Sequence, residues 1–363
     1  MVMHRALLAL LLGLARAAPE VGVWPYDYFH GFMPFPEAWG SMWSLRDVTT
    51  AYFVGSETGP DDEAEIVKES KWGIIGLGWQ LGALAGNWTD VEALELSTAR
   101  RIRARNTSTK VLVARNIEVL APFLSVVRKI WDRDDFWLKC GGEVCTGAWT
   151  GDAGVSIEKK WMDFGNADLR DWYLNEYMAF VYETPEIDGA HFDCSCGRPP
   201  DATVPTDYGF WKNKTMFEMN DRLKEAKKWG TAWAGDGVVN TTPHKGDACA
   251  PAVRSLQRTA KNAAHTTQFQ WSGGGEGLGL GIGIAAFLVA RSEDSTLVTR
   301  VRGAYDTSVD DYTDFEAHMD LLHHDFGVPS DDATEETPGV FVRDYPGGRV
   351  TLDCVRYNYT IEM

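Results

Sequence analysis

The sequence predicts an α/β protein, a (β/α)8 barrel with a short C-terminal β-hairpin extension. Three observations lead there. Strand-like apolar runs and helical stretches alternate eight times along the chain, at about 30-residue spacing. The clearest run, Ile187-Asp188-Gly189-Ala190-His191-Phe192-Asp193, ends on an acid, and parallel α/β proteins present carboxylates at the C-terminal ends of strands. The helix before it has Asn166 as N-cap and carries Leu169, Trp172, Tyr173, Tyr177, Phe180 and Val181 in one apolar stripe. A doubly wound open sheet is the competing architecture.

At 363 residues the chain can form one large domain or two ordinary ones. A net charge of −17 with no basic patch argues against nucleic acid or an anionic membrane as partner. Fifteen tryptophans is high for this length; most are expected to pack in the core, and a surplus also suits stacking on sugar rings. Residues 1–17 read as a cleaved signal peptide: His4-Arg5, an apolar run from Ala6 to Leu14, then small-x-small Ala15-Arg16-Ala17. That run is too short to span a bilayer, so no membrane span is expected after cleavage. Five glycosylation sequons, at Asn87, Asn106, Asn213, Asn240 and Asn358, agree with a secreted or lumenal location. Six cysteines suggest disulfides, with Cys140 and Cys145 closing a small loop and Cys194 or Cys196 pairing with Cys249. Cys194-x-Cys196 lacks both the spacing and the second pair of a zinc site.

In chain order, 18–45 is an aromatic- and proline-rich wrapping segment. The barrel is expected over 46–330. Its strands are Ala51–Ser56, Trp72–Trp79, Lys110–Arg115, a short fourth around Trp161–Phe164, Ile187–Asp193, Thr231–Ala234, Thr266–Trp271 and Ile284–Ala290. Capping boxes at Thr89-x-x-Glu92 and Thr215-x-x-Glu218 open two helices, and Pro251 suits the first turn of another. Residues 132–159 read as a long irregular loop. Tyr312, Phe315, Met319, Leu322 and Phe326 form a last helical stripe, stopped by Gly327 and Pro329. The tail, 331–363, has hairpin character around Pro346-Gly347-Gly348.

The residues expected at the strand ends are mostly carboxylates. No Ser lies in G-x-S-x-G and no H-E-x-x-H occurs, so serine-hydrolase and zinc-protease readings lose their usual support. Glycosidic cleavage needs a carboxylate pair, one to protonate the leaving oxygen and one to attack or activate water. Asp193 is the first candidate, as nucleophile or base. Glu276, in the glycine-rich loop Ser272–Gly277, or Asp236 is the general acid. Asp163, Trp79, Gln80, Asn116, Gln270 and Trp271 are candidates for holding a carbohydrate substrate. Asp188, at the strand's start, reads as structural, and His191 as a satisfied core histidine. The glycine run 273–283 lacks a Gly-Lys-Ser/Thr end, and no cofactor or metal is expected. The rival from another class is a glycan-binding barrel without catalysis.

Met162-Asp163-Phe164-Gly165-Asn166-Ala167-Asp168-Leu169-Arg170-Asp171-Trp172, followed by Ile187–Asp193, resembles the glycosyl-hydrolase-like TIM-barrel families. Their helix start D-x-x-N-P-x-x-R-x-(W/Y) leads to a D-G-(V/I)-x-(F/H)-D strand. With the ending Val340–Val350, the nearer likeness is to hypothetical glycosyl hydrolase family fifteen. The resemblance covers residues 50–353 and implies a secreted barrel acting on glycans, with Asp193 at the acidic-strand position. The chain departs from the pattern at Ala167, where proline is usual, and at Cys194-Ser195-Cys196 after the acid.

Overall fold

Eight parallel strands make the central sheet of the computed structural model: β1 (Thr49–Phe53), β2 (Ile74–Leu77), β3 (Lys110–Asn116), β4 (Gly189–Asp193), β5 (Trp229–Ala232), β6 (Val238–Asn240), β7 (Thr267–Trp271) and β8 (Ser295–Thr299). The structure describes residues 36–39, 42–43, 48–53, 60–78, 90–150, 156–193, 202–232, 238–240, 248–262, 267–271, 279–293, 295–299 and 317–363. The strands lie in the order β5-β4-β3-β2-β1-β8-β7-β6, and each ladder is parallel. The two end strands, β5 and β6, are consecutive in the chain. Among the described residues no ladder joins them.

The helices are α1 (Glu63–Glu69), α2 (Val91–Arg105), α3 (Ser125–Arg128), α4 (Ala167–Trp172), α5 (Ala179–Glu183), α6 (Tyr208–Glu225), α7 (Cys249–Asn262), α8 (Gly279–Ala290) and α9 (Met319–Leu322). A π-helical turn, Tyr173–Tyr177, joins α4 to α5. Asn166 caps α4 as expected, its side-chain oxygen accepting from the N–H groups of Asp168 and Leu169. Two other helix starts differ from expectation. Asp90 is the N-cap of α2, and Glu92 reaches across to accept from Ser125 and Val126 at the start of α3. Helix α6 begins at Tyr208, so Thr215 lies inside it and donates to the Trp211 carbonyl. Of the last apolar stripe, the described part is helical only over α9; Tyr312 and Phe315 lie outside the described residues.

Two strand assignments are corrected, and two strands were overlooked. Ser156–Trp161 runs antiparallel to Thr146–Thr150 and Val119–Leu120 in a side sheet, so the expected fourth strand is not part of the central one. Ile284–Ala290 belongs to helix α8, an entirely apolar stretch whose period cannot separate a buried strand from a buried helix. The strands overlooked are β6, three residues long, and β8, whose Ser295-Thr296-Leu297-Val298-Thr299 is rich in β-branched residues. The described residues of the loop 132–159 include short antiparallel strands, and Cys140–Cys145 closes one turn with Cα atoms 5.0 Å apart. Cys249 pairs with Cys354, which overturns the expected partners Cys194 and Cys196; both of those lie outside the described residues.

The expected hairpin is there, with Tyr345 opposite Gly348, but it belongs to a four-stranded antiparallel sheet. Its strands are β9 (Thr334–Thr337), β10 (Val340–Tyr345), β11 (Gly348–Asp353) and β12 (Asn358–Glu362), in that order. Helix α8 packs between β7 and this sheet and is buried throughout 280–290, which its uniformly apolar sequence requires. A Cβ on Gly281 would stand 1.8 Å from the Tyr359 hydroxyl, so only glycine permits that approach. Arg343 donates to the carbonyls of Leu288 and Arg291, and Tyr345 donates to Leu288. The guanidinium thus meets the negative end of the helix dipole. Arg291 in turn donates to the carbonyls of Met42 and Trp43, and burial pushes its pKa down to about 10.

The wrapping segment is described at 36–39 and 42–43, with a 3-10 turn at Glu37–Trp39. Trp39 meets Trp229 edge-on at 5.6 Å and lies under the Lys110 ammonium. Trp229 and Lys110 begin β5 and β3, so this contact is at the N-terminal end of the sheet.

His191 is buried on β4 with its Nε2 3.0 Å from the Leu77 carbonyl, to which it donates. Burial drops its pKa from 6.5 to about 4. An unfolded chain therefore takes up this proton before the folded one does. The resulting stability is complete above pH 6.5 and is lost as pH falls toward 4, by about 3 kcal/mol. Denaturant titrations at pH 7 and pH 4.5 should show the His191→Gln chain losing less stability on acidification than the parent. Equal losses would mean that other groups carry the acid sensitivity.

Candidate functional site

The register of β3 and β4 brings two of the expected site residues together. Asn116 stands directly opposite Asp193 at the C-terminal ends of adjacent parallel strands. Gly189 makes the neighbouring approach possible, since a Cβ there would sit 1.9 Å from the Trp229 carbonyl oxygen on β5. At the other end of β4, Asp188 accepts from the Val111 N–H and pairs with Arg103, which fits its structural reading.

Asn116 is held on all sides. Its Oδ1 accepts from the N–H groups of Glu118 and Val119, fixing the turn that leaves β3. Its backbone N–H donates to the Tyr177 hydroxyl at 2.9 Å, and the Tyr173 hydroxyl lies 3.5 Å from its carbonyl. Both tyrosines come from the π-turn, a distortion frequent near functional sites. Their rings are 5.0 Å apart and fully buried, and burial raises both phenol pKa values. The Asn116 Nδ2 is buried with no hydrogen-bond partner among the described residues. A buried amide without a partner loses the full desolvation energy of its N–H groups, so this one is poised to donate to a further group.

Two residues past Asn116, Glu118 forms a buried ion pair with Lys212 of α6. Its Oε2 has no partner among the described residues. Lys212 is the residue the sequence reading overlooked. The signal was present, because Lys212 occupies the apolar stripe of Tyr208, Thr215, Met216, Met219 and Leu223. A lysine there must be paired or lose its charge.

Asp163 lies in the turn before α4, following the side-sheet strand Ser156–Trp161 rather than a strand of the central sheet. It accepts from the Gly165 N–H at 2.9 Å, and burial, assisted by Asp207, raises its pKa. Glu276, Asp236, Trp79, Gln80 and Asn87 lie outside the described residues. Gln270 and Trp271 close β7, where Gln270 pairs with Asn240 and Val298 and Trp271 with Thr299 in the ladders. For these residues and Asp193 the backbone position is what is described. The sequons differ in setting. Asn358 is exposed on β12, Asn213 is half-buried on α6, and Asn106 ends α2 with its Nδ2 donating to the Ser70 carbonyl. Among the described residues no group of three metal-ligating side chains converges, and no helix is long and apolar enough to cross a membrane. His323 and His324 donate instead to the carbonyls of Lys71 and Gly347.

No protein-family model matches the chain, and no curated protein matches it in sequence. Solved structures do share its fold. The α-amylase of Geobacillus thermoleovorans, determined with acarbose, aligns over 85% of this chain and 86% of its own, with a TM-score of 0.50 and 12% identity. The cyclic α-maltosyl-(1→6)-maltose hydrolase of Arthrobacter globiformis aligns over 88% and 91%, with a TM-score of 0.51 and 10% identity. At these identities the likeness is one of fold. The chain has a glycosyl-hydrolase-like α/β fold.

Proposed function

We propose that this chain is a secreted glycoside hydrolase whose central sheet closes into a (β/α)8 barrel by pairing β5 with β6. Asp193 serves as nucleophile or base, and Glu276 or Asp236 protonates the leaving oxygen. Asn116 donates its unpartnered amide to a substrate hydroxyl or to the Asp193 carboxylate. Asp163, Trp79, Gln80, Gln270 and Trp271 complete the sugar subsites. The observation that carries this reading is the ladder pairing of Asn116 with Asp193, where a buried amide in want of an acceptor stands beside an acid at the strand ends. Three further features support it: the cyclic strand order, the fold shared with two glycoside hydrolases, and the disulfides, which suit an oxidising compartment. The likeness to hypothetical glycosyl hydrolase family fifteen and the boundaries 18–45, 46–330 and 331–363 belong to the same proposal.

The test is reducing-sugar release from a polysaccharide panel by the purified protein, beside its Asp193→Asn form. Release by the parent that falls to background in the variant, with an unchanged melting temperature, is the expected result. Equal release by both would remove Asp193 from the mechanism. Binding of a glycan with no release by the parent would replace catalysis with glycan recognition.

A further inference from the structure

Helix α6 turns an aromatic face to solvent. Phe210 is 64% exposed and Phe217 is 53% exposed, on the side opposite the buried stripe that holds Lys212, Met216 and Met219. The two rings offer apolar surface on an otherwise polar helix face. Positions 210, 213, 214 and 217 follow one another at helical spacings of three and four, so their Cβ atoms are neighbours at about 5–6 Å. Side chains on a helix lean toward its N-terminus. Asn213 therefore leans over the turn that carries Phe210, and Phe217 leans back toward Asn213.

Asn213 opens the sequon Asn213-Lys214-Thr215. It is half-buried, and among the described residues no hydrogen bond engages its carboxamide. The contrast is Asn106, whose Nδ2 is committed to the Ser70 carbonyl at 2.9 Å. The sequon asparagine of this face thus lies between its two exposed rings.

We propose that Asn213 carries an N-linked glycan whose first sugars lie over Phe210 and Phe217. A pyranose ring has an apolar C–H face that packs on an aromatic ring while its hydroxyl edge stays in water. In the transfer, Asn213 Nδ2 forms a bond to C1 of an oligosaccharide carried on a lipid diphosphate. The C1–oxygen bond breaks, and the diphosphate leaves with the amide proton. Thr215 is 2% exposed in the folded helix and donates to the Trp211 carbonyl, so transfer takes place on the nascent chain, before α6 forms. Folding then brings the rings beneath the sugar. The inference rests on a secretory route and is independent of the glycosidase reading.

The experiment expresses the full chain behind a heterologous signal sequence in insect cells. Enzymatic deglycosylation in 18O water, followed by peptide mass spectrometry, is expected to place the label at position 213. Recovery of that peptide unmodified would overturn the site. The covering is tested separately, by the rate at which a glycan-cleaving amidase removes the Asn213 glycan from the native protein. A chain carrying Phe210→Ser and Phe217→Ser, both on the exposed face of α6, should release it several-fold faster at an unchanged melting temperature. Equal rates would overturn the stacking.

Discussion

Replacing Cys249 and Cys354 together by alanine should lower stability by about 4.7 kcal/mol, the loop-closure entropy of a loop of about 100 residues. The bridge joins the first residue of α7 to the segment just after β11, across 105 residues of chain. It therefore limits the unfolded chain over most of the C-terminal third. The Cys140–Cys145 bridge spans only 5 residues and restrains little beyond its own loop. Urea denaturation of the double variant, beside the parent with and without reductant, measures the difference. A loss below about 1 kcal/mol would mean that packing on α8 alone holds the C-terminal sheet.

Arg115→Met is the second large effect. Arg115 and Glu95 are 1% and 0% exposed and joined by two hydrogen bonds of 2.9 Å, with the Phe180 ring 5.2 Å from the guanidinium. Removing one partner of a buried pair leaves an uncompensated charge and should cost about 3–5 kcal/mol. Burial already pushes the Glu95 carboxyl up to about 6, against the downward pull of Arg115. Without the arginine that pKa rises further. A carboxyl raised in the folded state favours folding below its unfolded pKa of 4.5, and that advantage is lost as pH rises through the folded value. The variant should thus recover stability relative to the parent between pH 8 and pH 5. Adding Glu95→Met should restore most of the loss at every pH. A double variant no more stable than the single would show that the cost is one of shape, not charge.

The alternation of elements was legible because it rests on local patterning, and β1, β2, β3, β4 and β7 fall where apolar runs place them. What escaped was set by neighbours distant in sequence. The stretch 279–290 is apolar on every side, so no period identifies it as a helix, and its partner sheet lies beyond 333. Three residues of β6 carry too little pattern to register. The pairing of Cys249 with Cys354 depends on where β11 ends in space, which spacing does not encode. At the candidate site, the acid of β4 and the amide of Asn116 were both legible as strand-end residues. Lys212 escaped because the helix was expected to open only at Thr215, and because its partner Glu118 comes 94 positions earlier.

Helix α8 imposes an order on synthesis. It is apolar all round, and β10, β11 and β12 form one wall of its site. It leaves the ribosome before any of those strands exists, as chains emerge N-terminus first. Until then the nascent protein carries an unsheltered greasy helix, the kind of surface that holding chaperones engage. Burial of α8 therefore waits for residues 340–362, and a chain that stops before 340 lacks the wall that covers this helix.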